Sequence, residues 1–320
     1  MTDSAAVVRP MGSDDLAAAD RVYRLAFGTQ FGLPDPSRFR GDAQVLRGRW
    51  TTDPRPCFVA ERDRRIVGSI VGMDWGSVFV LGPLTVDPAY ADRGIGRLLM
   101  RPAMDFIAAR GFALAGLFTF PASPKHVHLY ESYGFVPQHL TPVLSSVALD
   151  SRLRGNDGIG EHANLLSDLP PAARAAARAA CRAVSDAVFP GLDLTHEIEA
   201  IATQGLGDTV LLRDGGGISG FALCHGGAGS EAGSGVLFVK FACVRPGDAA
   251  GFMRLVEACE RLAAVRGASR LVAGVNRARD GAYRAMRERG FRADLIGVAM
   301  HRPDGAGYNR PEIYAIDDWR

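Results

Sequence analysis

Cysteine is sparse and unpatterned in this chain of 320 residues: the five, Cys57, Cys181, Cys224, Cys243 and Cys259, are odd in number and scattered. Such spacing argues against a disulfide framework, points to a reducing compartment, and supplies no metal-ligand pattern. No apolar run is long enough to span a bilayer, and the opening MTDSAAVVRPMGSDDL lacks the charged-then-apolar profile of an export signal. The expected location is therefore the cytoplasm, with no membrane partner. The formal net charge is only +2, and there is no dense Lys/Arg block with interleaved aromatics, so nucleic acid is not an expected partner. A glycine turn is present at Gly94-x-Gly96, but Leu99 stands where a dinucleotide fingerprint has its third glycine, and the Gly-Lys-Ser/Thr of a P-loop is missing.

What the chain does contain is a strand, a glycine turn and a helix in direct succession. Val78 to Val86 is rich in β-branched and apolar residues, Asp87-Pro88 stops it, and Leu98, Leu99, Pro102, Ala103, Phe106 and Ile107 recur at helical spacing from Ile95 onward. Gly94 and Gly96 take the Cβ atoms away from the helix entrance, so unpaired backbone N–H groups can close on an anion at the positive end of the helix dipole. Arg93 and Arg97 add formal charge. The arrangement suits a pyrophosphate and needs no metal.

A second signal follows at a fixed distance. Ala115 to Phe120 reads as a strand, Ser123-Pro124 as a helix start, and a short helix carrying Tyr130 ends at Gly134-Phe135. Together the two signals resemble the core of the GNAT superfamily of N-acetyltransferases. The resemblance implies acetyl-CoA as cosubstrate: the backbone of Leu84, Thr85 and Val86 would pair with the pantetheine arm, and the turn Ala91, Asp92, Arg93, Gly94, Ile95, Gly96, Arg97 would hold the pyrophosphate. Tyr130 would stand near the sulfur as the catalytic acid, and a bulge in the strand ending at Val86 would offer an N–H to the thioester carbonyl. Two positions depart from the family pattern: Ala91 replaces the usual Gln or Arg, and Ser123 the usual Asn. Both bear on side-chain contributions to cofactor affinity and leave the main-chain cradle intact.

The length allows two domains, each able to bury a sizeable core. Upstream, Val7 to Arg9 reads as a strand, Ser13 as the cap of a helix through Ala26, Ser37 to Trp50 as a second helical stretch, and Cys57 to Glu61 with Ile66 to Met73 as a hairpin. This is the GNAT order of elements. After a loop at Asp150 to Gly160 and an Ala/Arg-rich helix opened by Pro170-Pro171, the order returns: VLFVKFACVRP repeats VFVLGPLTVDP, and Gly290-Phe291 repeats Gly134-Phe135. The expected fold is α/β, with two tandem GNAT-like domains, each a mixed, mostly antiparallel twisted sheet flanked by helices. Residues 1–150 would be the acetyltransferase domain with the acyl-CoA site, and 151–320 a degenerate copy. The offset between the copies sets Phe252 opposite Gly94, Arg254 opposite Gly96 and Met286 opposite Tyr130.

The expected activity is acetyl transfer from acetyl-CoA to an amine, on a small molecule or a protein; the alternative is a non-catalytic acyl-CoA-binding module with a regulatory or structural role. No base stands out. Asp74 reads first as a turn residue and His126, on the same helix face as Tyr130, as a surface or capping histidine. His126 and His128 are two apart on a helix and point in different directions, so no metal is assigned. Trp75 and Phe79 read as core with acceptor lining as the second option, and the tail YNRPEIYAIDDWR as a segment packed on the surface or between domains, with Asp317, Asp318 or Trp319 available to close the acceptor pocket. Nothing in the sequence bears on the acceptor's identity or the oligomeric state.

Overall fold

The structure, a computed structural model, describes residues 5–147 and 159–320. The expected domain boundary at residue 150, and most of the loop expected around it, lie outside the described residues.

The chain opens with β1 (Val7–Pro10). Ser13 does not cap a helix. It begins a 3-10 turn in which the Asp15 carboxylate accepts the Gly12 N–H at 2.8 Å, and α1 follows over Leu16–Gln30. The second helical stretch is shorter than its spacing suggests, because only a 3-10 turn at Pro36–Arg38 and α2 (Val45–Thr52) are helical. Between them the Arg24 guanidinium donates to the carbonyls of Phe39, Gly41 and Ala43 at 2.7, 2.6 and 2.6 Å. Carbonyls engaged by a charged donor are not available to a helical ladder, and this staple holds the segment in an irregular course. β2 (Phe58–Arg62) and β3 (Arg65–Trp75) form the expected hairpin, with Asp63 and Arg64 both at positive φ in its tight turn. β4 (Val78–Val86), α3 (Ile95–Arg110), β5 (Leu114–Thr119), α4 (Pro124–Glu131) and β6 (Val136–Val147) complete the first half.

The second half repeats the order: β7 (Ala163–Leu165), α5 (Pro171–Val188), α6 (Thr195–Gln204), β8 (Gly207–Asp214), β9 (Gly217–Gly227), β10 (Gly233–Val244), α7 (Ala249–Val265), β11 (Arg270–Gly274), α8 (Asp280–Glu288) and β12 (Arg292–Arg302). A two-residue β13 (Ala315–Ile316) pairs with β10.

The described strands join one sheet, in the order β1-β2-β3-β4-β5-β12-β6-β11-β10-β9-β8-β7, with β13 on the edge of β10. Among the described residues, only β4–β5 and β10–β11 run parallel; the other pairs are antiparallel. At the centre the two halves exchange their last long strands. β12 pairs with β5 of the first half, with Ala299 opposite Phe118, and β6 pairs with β11 of the second, with Leu144 opposite Ala273. Neither half's sheet is complete without a strand from the other.

The core follows this interweaving. On one face α3 and α4 cover Phe79, Leu81 and Leu117, and α7 with α8 cover the corresponding face of the second half. On the other face Trp75, Val78 and Val80 of the first half share one cluster with Leu211, Phe221 and Phe241 of the second, Trp75 meeting Phe241 edge-on at 5.6 Å between ring centroids. The tail enters this shared core: Trp319 lies against Gly116, where a Cβ would sit 2.6 Å from the indole.

Candidate active site

The site begins where β4 and β5 part. Their parallel pairing covers Val78–Leu81 against Leu114–Leu117 and then ends, while Leu84, Thr85 and Val86 stay paired with β3. A register shift against β3 falls between Leu81 and Leu84, at Gly82 and Pro83, whose peptide bond is cis. This is the bulge expected near Val86. A strand that leaves its neighbour exposes main-chain donors and acceptors along one edge, and an extended amide-bearing arm can satisfy them as a further strand would. The Thr85 side chain is buried against Ser69, Oγ1 to Oγ at 3.0 Å.

At the open end of the gap lies the glycine turn. Asp87 caps a 3-10 turn at Pro88–Tyr90 by accepting the Ala89 N–H at 3.0 Å, Asp92 and Gly94 follow at φ +60° and +76°, and α3 starts at Ile95. The first helical bond runs from Leu98 N–H to Gly94 O, and among the described residues no partner is seen for the N–H groups of Ile95, Gly96 and Arg97. A Cβ on Gly94 would meet nothing within 4 Å, while one on Gly96 would stand 3.5 Å from Leu129 and 3.8 Å from Leu84. Gly94 thus opens the cradle to solvent, and Gly96 lets α3 approach β4 and α4. The turn's own acid, Asp92, is ion-paired to Lys125, the Arg93 guanidinium lies over the Tyr90 ring, and Arg97 is exposed. The balance left at the helix start favours an anion.

Tyr130 sits near the end of α4 with its ring in the core beside Phe135. Burial pushes its phenol up to about 12, so it remains a proton donor across physiological pH. Ser123 occupies the N-cap position of α4, its side chain makes no capping bond, and its carbonyl accepts the N–H groups of His126 and Val127. The structure brings Leu84–Val86, the turn and Tyr130's helix to the same end of the β4–β5 gap, as Gly96 shows by lying between Leu84 and Leu129.

The second half is built differently at the equivalent place. Its helix α7 is capped by Asp248, whose carboxylate accepts the Gly251 N–H at 2.7 Å. The helix caps therefore set Asp248 opposite Gly94, where the sequence offset sets Phe252, which is instead a fully buried core residue. The offset holds at the other landmark: Phe135 N–H bonds to Tyr130 O and Phe291 N–H to Met286 O, at 3.2 and 3.1 Å.

Of the other residues considered from the sequence, Asp74 accepts the Gly76 N–H at 3.0 Å and pairs with Arg110 at 2.8 Å, so it is a structural turn acid. His126 is half-buried, and burial together with Lys125 lowers its pKa. In the tail, Trp319 donates to Tyr308 Oη at 2.6 Å, Tyr308 donates to Asp317 at 2.8 Å, and Asp317 pairs with the buried Arg279. The tail is a packed element between the halves, and its acids are engaged. Trp75 and Phe79 are core.

Two features escaped sequence reasoning. One is an aromatic group on the α1 side of the parted strands, where Phe39 stacks on Phe27 and Phe31 at 5.5 and 5.6 Å and Phe120 meets Phe31 edge-on at 5.6 Å. Phe31 is 40% exposed. The other is a buried set of charges behind the bulge, joining Arg49 to Glu231, Lys240 and Glu197. Neither has a sequence signature, since the partners come from separate elements.

An extended backbone edge here leads to an uncapped helix start. Residues 19–135 match the model of the acetyltransferase (GNAT) family. An uncharacterized N-acetyltransferase of Methanocaldococcus jannaschii is 34% identical over 96 residues, 30% of this chain and 54% of that one. A mycothiol acetyltransferase of Nocardia farcinica is 30% identical over 110 residues, 31% of this chain and 35% of that one. The chain thus spans about half the length of the first relative and about a third of the second. In fold, a solved chain from Pyrococcus horikoshii matches 100% of this chain and 96% of its own at TM-score 0.70 and 15% identity. A GCN5-related N-acetyltransferase from Sphaerobacter thermophilus matches 93% of this chain and 95% of its own at TM-score 0.59 and 16% identity. Among the described residues no helix is long and apolar enough to cross a membrane.

Proposed function

We propose that the protein transfers the acetyl group of acetyl-CoA to an amine, with the chemistry in residues 1–150 and with residues 151–320 a degenerate GNAT-like copy. The observation that carries this reading is the contrast between the two helix starts: α3 presents free N–H groups at the end of a strand gap, and α7 has a carboxylate at its own start. Leu84, Thr85 and Val86 pair with the pantetheine arm, and Ala91 to Arg97, with Ser123 nearby, hold the pyrophosphate. The acceptor nitrogen attacks the thioester carbonyl. A backbone N–H of the bulge, from Gly82 or Leu84 since Pro83 has none, stabilises the oxyanion. The carbon–sulfur bond breaks and Tyr130 gives its proton to the departing thiolate, while the proton that the acceptor nitrogen loses passes to solvent, from which the phenol is reprotonated.

The aromatic group formed by Phe27, Phe31, Phe39 and Phe120 supports an acceptor whose amine is attached to an apolar or aromatic body, since rings stacked and half-exposed beside the site favour a flat apolar surface over a polyol. A second reading, an acyl-CoA-binding module without catalysis, draws on the engagement of Asp74 in an ion pair, which leaves the candidate base occupied. Calorimetric titration should give one acetyl-CoA per chain, and a panel of amines, aromatic ones included, should reveal acceptor-dependent release of CoA thiol. Binding without thiol release on any amine would establish the second reading; two equivalent sites would overturn the division between halves.

A further inference from the structure

Directly behind the bulge of β4, four charged side chains are buried together. Arg49 of α2 donates from Nη2 and Nε to the two carboxylate oxygens of Glu231 at 2.7 and 3.2 Å, and Lys240 Nζ donates to Glu231 and Glu197 at 2.8 Å each. Trp75 donates to Glu197 at 3.1 Å. Arg49, Glu197, Glu231 and Lys240 are 4, 3, 3 and 6% exposed. Burial alone would raise the Glu231 carboxyl; Arg49 and Lys240 override it and hold the group well below the usual carboxylate range. Two positive and two negative charges balance, but a buried set of this kind is a weak source of stability. Its geometry has a more specific consequence.

The remaining arm of the guanidinium, Nη1, donates to the carbonyl of Gly82 at 2.7 Å, and Nη2 also reaches the carbonyl of Arg320 at 2.6 Å. Gly82 is the first residue of the bulge, at φ +133°, and a Cβ there would meet nothing within 4 Å. Side-chain packing therefore does not fix the bulge at this residue, and the peptide it shares with Pro83 has no N–H to anchor it. The Arg49 bond to its carbonyl is the anchor that the structure shows. Arg49 cannot turn away without leaving Glu231 with half its compensation in a buried site.

We infer that Arg49 is a positioning residue for acyl transfer: Glu231, contributed by the second half, locks the guanidinium, and the guanidinium holds the Gly82 carbonyl so that the bulge N–H faces the thioester oxygen. This rests on the acyl-transfer reading of the first half. It also assigns the degenerate half a part in catalysis that needs no ligand of its own. A donor aimed at a developing oxyanion depends on alignment at the sub-ångström scale.

The test is the double variant Arg49→Met/Glu231→Met in the full chain. It removes one charge of each sign and leaves Lys240 paired with Glu197, a replacement that buried ion pairs commonly tolerate. Arg49→Lys, which keeps the charge but not the three-way fork, is the second variant. The expected result is an acetyl-CoA Kd within about 2-fold of the parent, kcat lower by about 10- to 100-fold, and faster amide hydrogen exchange in a peptide spanning residues 81–84. Unchanged kcat in a folded double variant overturns the inference. If the parent itself releases no CoA thiol with any amine, the acyl-transfer reading fails separately, and the exchange rate still decides the tether: unaltered exchange refutes it, and accelerated exchange retains Arg49 as the anchor of the bulge.

Discussion

Asp248 occupies in the second half the place that Gly94 occupies in the first: each is the residue from which the long central helix starts, and one closes the helix end with a carboxylate while the other leaves it open. A carboxylate that already accepts an N–H at a helix start competes with a phosphate for the same donors and repels it.

Gly94→Asp should therefore reproduce the second half's cap in the first. The site has space for the side chain, and Asp tolerates positive φ better than most residues. Acetyl-CoA affinity should fall at least about 10-fold, ~1.4 kcal/mol, with the circular dichroism spectrum unchanged. A variant that binds as the parent does, by calorimetry, removes the turn from the cofactor site.

Tyr130→Phe should keep the packing against Phe135 and lose the proton donor. The expectation is a kcat reduced by about 100- to 10,000-fold with an unchanged acetyl-CoA Kd. Because burial holds the phenol near 12, the kcat profile of the parent should show no loss assignable to Tyr130 between pH 7 and about 10. Full turnover in Tyr130→Phe, with chemistry shown to be rate-limiting, would make the ring a packing residue.

Phe31→Ser takes the most exposed ring from the aromatic group without touching β4 or α3. KM for an aromatic amine should rise about 10-fold, roughly the loss of one ring contact and its buried area, while KM for acetyl-CoA stays put. Equal effects on apolar and polyol acceptors would argue that the acceptor's body lies elsewhere.

His225 provides a pH signature of folding. Fully buried on β9, with no hydrogen-bond partner for either ring nitrogen among the described residues, it is held neutral down to about 4, mainly by burial and then by Lys240. The unfolded chain takes up the proton near 6.5. Stability from this group is thus complete above pH 6.5 and is lost as pH falls from 6.5 to about 4, by about 3 kcal/mol in all. His225→Phe should flatten that slope in urea melts taken across the window, leaving the carboxylate-driven loss below about pH 4.5. An unchanged slope would show that other groups carry it.

The local features of this protein were legible in its residues. Gly94-x-Gly96, the apolar spacing from Ile95, the hairpin at Asp63-Arg64 and the helix end at Gly134-Phe135 depend on backbone conformations and periodicities that a few neighbouring residues dictate. The repeat of elements was visible for the same reason. Even locally there was a limit: the Arg24 staple that interrupts helix over residues 39–43 joins groups 15 to 19 positions apart and left no periodic trace. Tertiary structure alone decided the rest. The exchange of β6 and β12 depends on strand edges meeting at the centre of the sheet, which two similar sets of strands satisfy in either half. Arg49 and Glu231 lie 182 residues apart, and nothing in the spacing of either predicts that folding will place both behind Gly82. Backbone chemistry is short-range and is written in adjacent residues; the pairing of buried charges is set by which surfaces the fold brings together.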